Sequence, residues 1–207
     1  MMYSTDASPV RRLGVMGGTF DPLHVGHLVI ASEALYQLQL DRMVFMPTGQ
    51  PWQKRYYSKA EDRYLMTVLG TEGNQRFAVS RMELDRSGPT YTADTMKELR
   101  DFHGPDVSLS FIAGADAVMK LGTWERIELL AEYADVVAVT RPGFDLGSFK
   151  AKPSWPRVKT MPSPGIDISS TDIRARVSEG RPVEYLVPAP VLTFIKKKGL
   201  YQAGENL

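Results

Sequence analysis

Short apolar runs alternate along this chain with stretches in which apolar residues recur every three or four positions. Leu13–Met16 is an apolar run ending in Gly17–Gly18, the pattern of a buried strand that feeds a tight loop. Val25–Leu38 follows with Leu28, Ala31, Leu35 and Leu38 on one helical face. Arg42–Met46 is a further β-rich run, stopped by Pro47. A strand, a helix and a strand with such short connections predict a right-handed crossover and parallel pairing.

The pattern continues in the same vein. Pro47–Ser58 reads as a polar and aromatic loop, Lys59–Leu69 as a helix and Phe77–Ser80 as a strand, which Arg81–Leu84 either continues or turns into an edge hairpin. Ser87–Tyr91 reads as a turn, with Thr92 or Asp94 capping a helix that runs to Phe102. Val107–Ala113 is a strong strand ending at Gly114, and Asp116–Leu121 and Trp124–Tyr133 are helical segments broken near Gly122. Asp135–Thr140 is a buried strand, ended by Arg141–Pro142–Gly143. Phe144–Pro156 reads as a surface excursion and Arg157–Met161 as a closing strand. Ser169 or Ser170 then caps a helix to Ser178, and Ala189–Lys198 is the last helix.

Five strands alternating with helices predict an α/β fold: a Rossmann-like open parallel sheet with helices on both faces and a small C-terminal helical part over residues 169–201. The expected layout is a disordered leader over 1–12, one domain over 13–201 and a tail over 202–207. Ligands of such sheets sit beyond the carboxyl ends of the strands, where the strand order reverses.

Composition narrows the function classes. A net charge of +1 over 207 residues supplies no general attraction to nucleic acid or to an anionic membrane. The chain has no cysteine, which removes disulfides, thiolate metal sites and cysteine nucleophiles and fits a reducing compartment. No apolar run reaches the roughly 18 residues needed to cross a bilayer, and the polar Met1–Arg12 lacks the apolar centre of a secretory signal. The cytoplasm is the expected location.

Candidate chemistry concentrates in two segments. The first, from Gly17 to His27, reads Gly-Gly-Thr-Phe-Asp-Pro-Leu-His-Val-Gly-His directly after a predicted strand and opens a helix. Gly17 and Gly18 permit close backbone approach and unusual dihedrals, Thr19 offers a hydroxyl and an N–H, and the helix start adds unpaired N–H groups and a positive dipole end. His24 and His27, two of the three histidines, are spaced to face one point. A zinc site here would have to recruit carboxylates, since the remaining histidine is the distant His103. A helix N-terminus disfavours a permanent imidazolium, so rings that partner a bound anion make better sense.

The second segment, Ile168-Ser169-Ser170-Thr171-Asp172-Ile173-Arg174, opens a helix with hydroxyls, N–H groups and an arginine that can reach the same anion. A plain N-cap followed by a solvated arginine would explain it in isolation; paired with the first segment it reads as the other side of a phosphate site.

The first block resembles the signature of the nucleotidyltransferase superfamily, Gly-x-Phe-Asp-Pro-x-His-x-Gly-His, and the second resembles that superfamily's Ile-Ser-Ser-Thr-x-Ile-Arg motif. The resemblance implies ATP binding by Gly17, Gly18, Thr19, Phe20, His24, His27, Gly114, Asp116, Arg141, Ser169, Ser170, Thr171 and Arg174. It further implies that the histidines stabilise the transition state at the α-phosphorus. Within the superfamily, three more segments resemble the bacterial nicotinate mononucleotide adenylyltransferases. Pro47–Lys54 resembles the loop whose terminal lysine, Lys54, meets the acceptor phosphate, although Gln53 stands where relatives commonly carry histidine. Thr90–Thr95 resembles a Tyr-Thr-x-Asp-Thr segment in which Tyr91 and Thr92 approach the pyridine carboxylate. Phe111–Asp116 followed by Trp124 resembles the strand, glycine and acid that hold nucleotide, with Asp116 on ribose hydroxyls and Trp124 stacked on the pyridine ring.

The implied reaction joins AMP from ATP to nicotinate mononucleotide, a step of NAD biosynthesis, with Thr19, Lys54, Tyr91, Thr92, Asp116 and Trp124 toward the acceptor and His24, His27, Lys54 and Arg174 catalytic. Mg²⁺ is the expected cofactor, held mainly by substrate phosphates rather than by a protein cage. The partners expected are small molecules, and a homo-oligomer is left open. Two alternatives stand beside this reading: another small nucleotidyltransferase, of phosphopantetheine or cytidylyl type, and a nucleotide-binding regulator without catalysis.

Overall fold

The computed structural model describes residues 10–49, 58–141, 147 and 149–202. Lys54 and most of the Pro47–Ser58 loop lie outside the described residues, as do most of the expected leader and tail.

Six strands, all parallel, form one sheet. In chain order they are β1 (Arg12–Gly18), β2 (Arg42–Pro47), β3 (Phe77–Val79), β4 (Ser108–Gly114), β5 (Asp135–Thr140) and β6 (Val158–Pro162). Spatially they run β3-β2-β1-β4-β5-β6, so the order reverses between β1 and β4. That is the dinucleotide-binding arrangement, and its crevice opens beyond the carboxyl ends of β1 and β4. The closing strand expected at Arg157–Met161 forms one residue later, as Val158–Pro162, and pairs fully with β5 from Val136↔Val158 to Thr140↔Pro162, a sixth strand beside the five that set the fold class.

Side chains alternate across the sheet, and each face buries one core. Leu13 and Val15, Val44 and Met46, Leu109 and Phe111, and Val136 and Ala138 point to one side, against α4 (Thr92–His103), α5 (Ala115–Val118) and α6 (Ile127–Tyr133). Met16, Met43, Phe45, Ile112, Val137, Val139 and Met161 point to the other, against Ala31, Ala34 and Leu35 of α1 (Val25–Gln37). Strands buried on both faces explain why these segments read as largely apolar runs.

A third cluster gives the C-terminal part its own packing. Met66 of α2 (Ala60–Thr71) meets Ile173 of α7 (Ser170–Ser178), Val191 and Ile195 of α8 (Ala189–Lys198), and Tyr201. The Tyr201 hydroxyl donates to Asp21 Oδ1 at 2.6 Å, and the Ser58 N–H donates to Asp21 Oδ2 at 3.2 Å. Asp21 is only 1% exposed, so losing a donor there leaves a carboxyl oxygen with no water to replace it. Tyr201→Phe is therefore expected to cost about 1–3 kcal/mol of folding stability, read from urea midpoints at constant m-value. An unchanged midpoint would show that the contact contributes nothing net.

Three local readings are corrected. Arg81–Leu84 neither extends β3 nor forms a hairpin; Met82–Asp85 is a short helix, α3, begun where the Ser80 hydroxyl accepts the Met82 N–H at 3.1 Å. Neither Thr92 nor Asp94 caps α4: Tyr91 is the N-cap residue, and no side chain caps it. Trp124 is outside any α-helix, because the chain after α5 passes through a 3-10 turn at Leu121–Thr123 and α6 starts only at Ile127.

Candidate active site

The chain leaves β1 at Gly18, where a Cβ would stand 2.8 Å from the Phe20 ring. Glycine is needed at this point for space rather than for unusual dihedrals, because neither Gly17 nor Gly18 has a positive φ; that conformation falls on Phe20, at φ 50°. Phe20 is 2% exposed and meets His27 edge to face, with ring centroids 5.1 Å apart. Its side chain thus backs His27 from the core side.

His24 is the N-cap of α1, and His27 lies one turn on. Their rings stack with centroids 3.7 Å apart and planes 27° apart. The His24 backbone N–H donates to His27 Nδ1 at 3.2 Å, so a neutral His27 ring carries its proton on Nε2, as a donor for whatever enters the site. His24 Nδ1 is buried with no partner, and a Cβ at Gly26 would come within 3.1 Å of it. Burial pushes the His24 pKa down to about 4, helped by the Arg141 guanidinium. Burial and the neighbouring His24 hold His27 well below the usual imidazole range as well. Both rings are therefore neutral at pH 7, and a bound polyanion would act against that preference.

The second segment locks onto the first. The Ser169 hydroxyl caps α7 by accepting the Asp172 N–H at 3.1 Å. The Ser170 hydroxyl donates to the Pro22 carbonyl at 3.0 Å, and Arg174 Nη1 donates to the Asp21 carbonyl at 2.7 Å. A cavity of about 380 Å³ lies between them, with His24, His27, Gly114, Arg141, Ser169, Ser170 and Thr171 among its walls. Arg174 is not one of those walls; its Nη2 lies 3.4 Å from the Thr171 hydroxyl, so it reaches the site through Thr171. Arg141 directly follows β5 and donates to Asp167 at 3.5 Å, with more than half of its side chain exposed.

A second cavity, of about 360 Å³, lies across the switch point and is walled by Gly18, Thr19, Thr48, Glu83, Thr90, Tyr91, Thr92, Phe111, Trp124 and Glu125, among others. The two cavities share Gly17, Ala113 and Gly114, the carboxyl ends of β1 and β4. Trp124 packs edge-on against Phe111, with centroids 5.7 Å apart and planes at 89°, and joins the cavity wall. Asp116 lines neither cavity: it is exposed on α5, and Ala117 takes its expected place in the wall.

Some site-building residues escaped the sequence reading. Arg63 is 1% exposed, yet its guanidinium donates to the carbonyls of Thr19 at 2.9 Å, Gly49 at 3.1 Å and Ser58 at 3.2 Å. It ties the loop after β1 to both described ends of the segment that contains Lys54. Glu83 reaches the second cavity as a 7% exposed carboxyl that accepts the Thr95 hydroxyl at 2.8 Å, and burial raises its pKa. No sequence signal marks Arg63, whose acceptors are backbone carbonyls; Glu83 was hidden by the strand reading of Arg81–Leu84.

A 3-2-1-4-5-6 sheet with a cavity on each side of its switch point defines an α/β nucleotide-binding protein. A family model described as cytidylyltransferase-like matches residues 15–176. A relative from Clavibacter michiganensis subsp. michiganensis, bearing the name "Probable nicotinate-nucleotide adenylyltransferase", is 51% identical over 204 residues, covering 98% of this chain and 100% of its own. A Streptomyces coelicolor relative of the same name is 53% identical over 192 residues, covering 92% of this chain and 100% of its own. The solved structure of Plasmodium falciparum nicotinic acid mononucleotide adenylyltransferase complexed with NaAD shares the fold, with TM-score 0.74 at 18% identity over 92% of this chain and 97% of that one. The chain belongs to the cytidylyltransferase-like family and, within it, to the nicotinate-nucleotide adenylyltransferases.

Proposed function

We infer that this protein transfers the adenylyl group of ATP to nicotinate mononucleotide, giving nicotinate adenine dinucleotide and pyrophosphate. The observation that carries the inference is the pair of cavities meeting over Gly17, Ala113 and Gly114. A dinucleotide needs two nucleoside pockets with its linking phosphates between them, and the strand ends supply that midpoint.

In this reading the cavity with His24, His27 and Ser169–Thr171 takes the triphosphate, and the cavity with Tyr91, Thr92 and Trp124 takes the acceptor. An oxygen of the acceptor phosphate attacks the α-phosphorus in line, the bond to the bridging oxygen breaks, and pyrophosphate leaves with its electron pair. The acceptor phosphate is already largely dianionic near pH 7, its second pKa being about 6, so no base is required. Catalysis is then positioning and charge neutralisation. His27 offers Nε2–H, His24 completes the stacked pair, Ser169 and Thr171 offer hydroxyls, and the start of α7 adds N–H groups, while the Ser170 hydroxyl stays on the Pro22 carbonyl. Arg174 holds Thr171 and the Asp21 carbonyl, and Lys54 is assigned to the acceptor phosphate on its motif.

Among the described residues, the walls of the triphosphate cavity hold hydroxyls, imidazoles and the Arg141 guanidinium but no carboxylate. Among the described residues no group of three or more histidine, aspartate or glutamate side chains could hold a metal ion. That donor set suits Mg²⁺ bound through ATP phosphates and water, from where it would neutralise charge on the leaving group. No helix among the described residues is long and apolar enough to cross a membrane, and a cytoplasmic site of action fits a chain without cysteine.

The test is pyrophosphate release with ATP and nicotinate mononucleotide, with the nicotinamide analogue, phosphopantetheine and CTP as controls. Turnover with phosphopantetheine or CTP and none with nicotinate mononucleotide would overturn the reading. Trp124→Ala is expected to raise the KM for nicotinate mononucleotide about tenfold, the worth of one aromatic stacking contact, with little change for ATP. Equal changes in both constants would make Trp124 a core residue only.

A further inference from the structure

Two residues beyond Trp124 the backbone of Arg126 enters the left-handed region, at φ 57°. A long L side chain adopts this conformation only where its surroundings hold it there. The Arg126 guanidinium ion-pairs with Asp94 and lies over the Tyr91 ring, with Cζ 5.3 Å from the centroid. Tyr91 is the N-cap of α4, and Asp94 lies in its first turn. Tyr91 and Thr92 form one wall of the acceptor cavity, while Trp124 and Glu125 belong to another, so Arg126 bridges the two.

We propose that Arg126 is a positioning residue that latches the Trp124 turn to the N-terminus of α4 and so fixes the width of the slot for the acceptor's flat ring. Phe111 sets one edge of Trp124 from the core side, and the latch sets the other side from solvent. Ordering this turn before the acceptor arrives removes that entropic cost from binding. The Arg126 and Asp94 side chains are 53% and 27% exposed, so the pair contributes little to the core. Its effect falls on the slot. The inference rests on assigning this cavity to the acceptor.

Arg126→Gly suits the test, because glycine keeps the left-handed backbone without strain while the latch is lost. The expected result is a KM for nicotinate mononucleotide raised roughly fivefold, the combined worth of one exposed ion pair and one cation–π contact. The KM for ATP should stay within about twofold, and Asp94→Asn should reproduce the effect. Arg126→Lys should recover part of it, since lysine keeps charge but not the planar fork. In the free protein, acrylamide quenching of Trp124 should increase in both Arg126→Gly and Asp94→Asn, with its signal isolated by subtracting matching Trp124→Phe proteins. A parallel rise in both KM values, or unchanged Trp124 quenching, would overturn the latch. If the parent protein releases no pyrophosphate with nicotinate mononucleotide, the functional reading fails instead, and the quenching experiment decides the latch by itself.

Discussion

His27→Ala is expected to lower kcat for pyrophosphate release by about 10²–10³-fold while ATP binding survives, the usual loss when one pre-aimed donor to a developing charge is removed. The geometry explains why this residue and not a surface neighbour carries the effect. The His24 N–H occupies Nδ1, which leaves Nε2–H as the donor available to the cavity, and Phe20 holds the ring from behind. Alanine removes that donor, whereas the binding groups on Ser169, Ser170 and Thr171 stay in place. Single-turnover kinetics separate the steps: a normal ATP dissociation constant with slow chemistry supports the role. A kcat within about threefold of wild type would assign His27 to the capping interaction alone.

The second large effect is on stability against acid. His24 titrates near its ordinary 6.5 in the unfolded chain but only at about 4 in the folded one. Between those values the unfolded chain holds a proton that the folded chain does not, so stability falls as pH drops from 6.5 to about 4. The loss for this one group is at most on the order of 3 kcal/mol, and His27 pushes in the same direction. Carboxylates titrate over part of this range too, so the comparison must be with His24→Gln, which cannot take up the proton. Urea unfolding from pH 4 to 8 should give curves that diverge below about 6.5, with wild type losing stability faster. Parallel curves would mean that the histidine is not desolvated in the free protein. Saturating ATP should oppose the acid loss, because a bound polyanion favours protonated rings.

The architecture and the two motif segments are legible in the sequence for a local reason. Strands buried on both faces are apolar along most of their length, so β1, β2 and β5 stand out as apolar runs, and β4 does so despite the buried Ser110. A helix that opens on Ser169–Ser170 announces its own start, and Ser169 does cap it. The cap of α4 failed as an expectation because Tyr91 precedes the two polar candidates, and the chain bends there without side-chain help. Asp116, a carboxylate just after a strand, stands exposed on the short α5.

What the sequence determined by itself is therefore local: where strands and helices lie, which loop carries the Gly-Gly and His-x-x-His spacing, and which helix opens on the Ser-Ser-Thr run. The tertiary structure alone decided what depends on residues far apart in the chain. It placed Ser170 on the Pro22 carbonyl and Arg174 on the Asp21 carbonyl, buried Arg63 among three carbonyls, and set Arg126 on Asp94 and Tyr91. It also put Phe20 behind the histidines rather than in front of them. The physical reason is one of range. Periodicity and capping are written in neighbours three or four residues apart, whereas a buried guanidinium seeks whichever carbonyl oxygens the packed fold brings within about 3 Å.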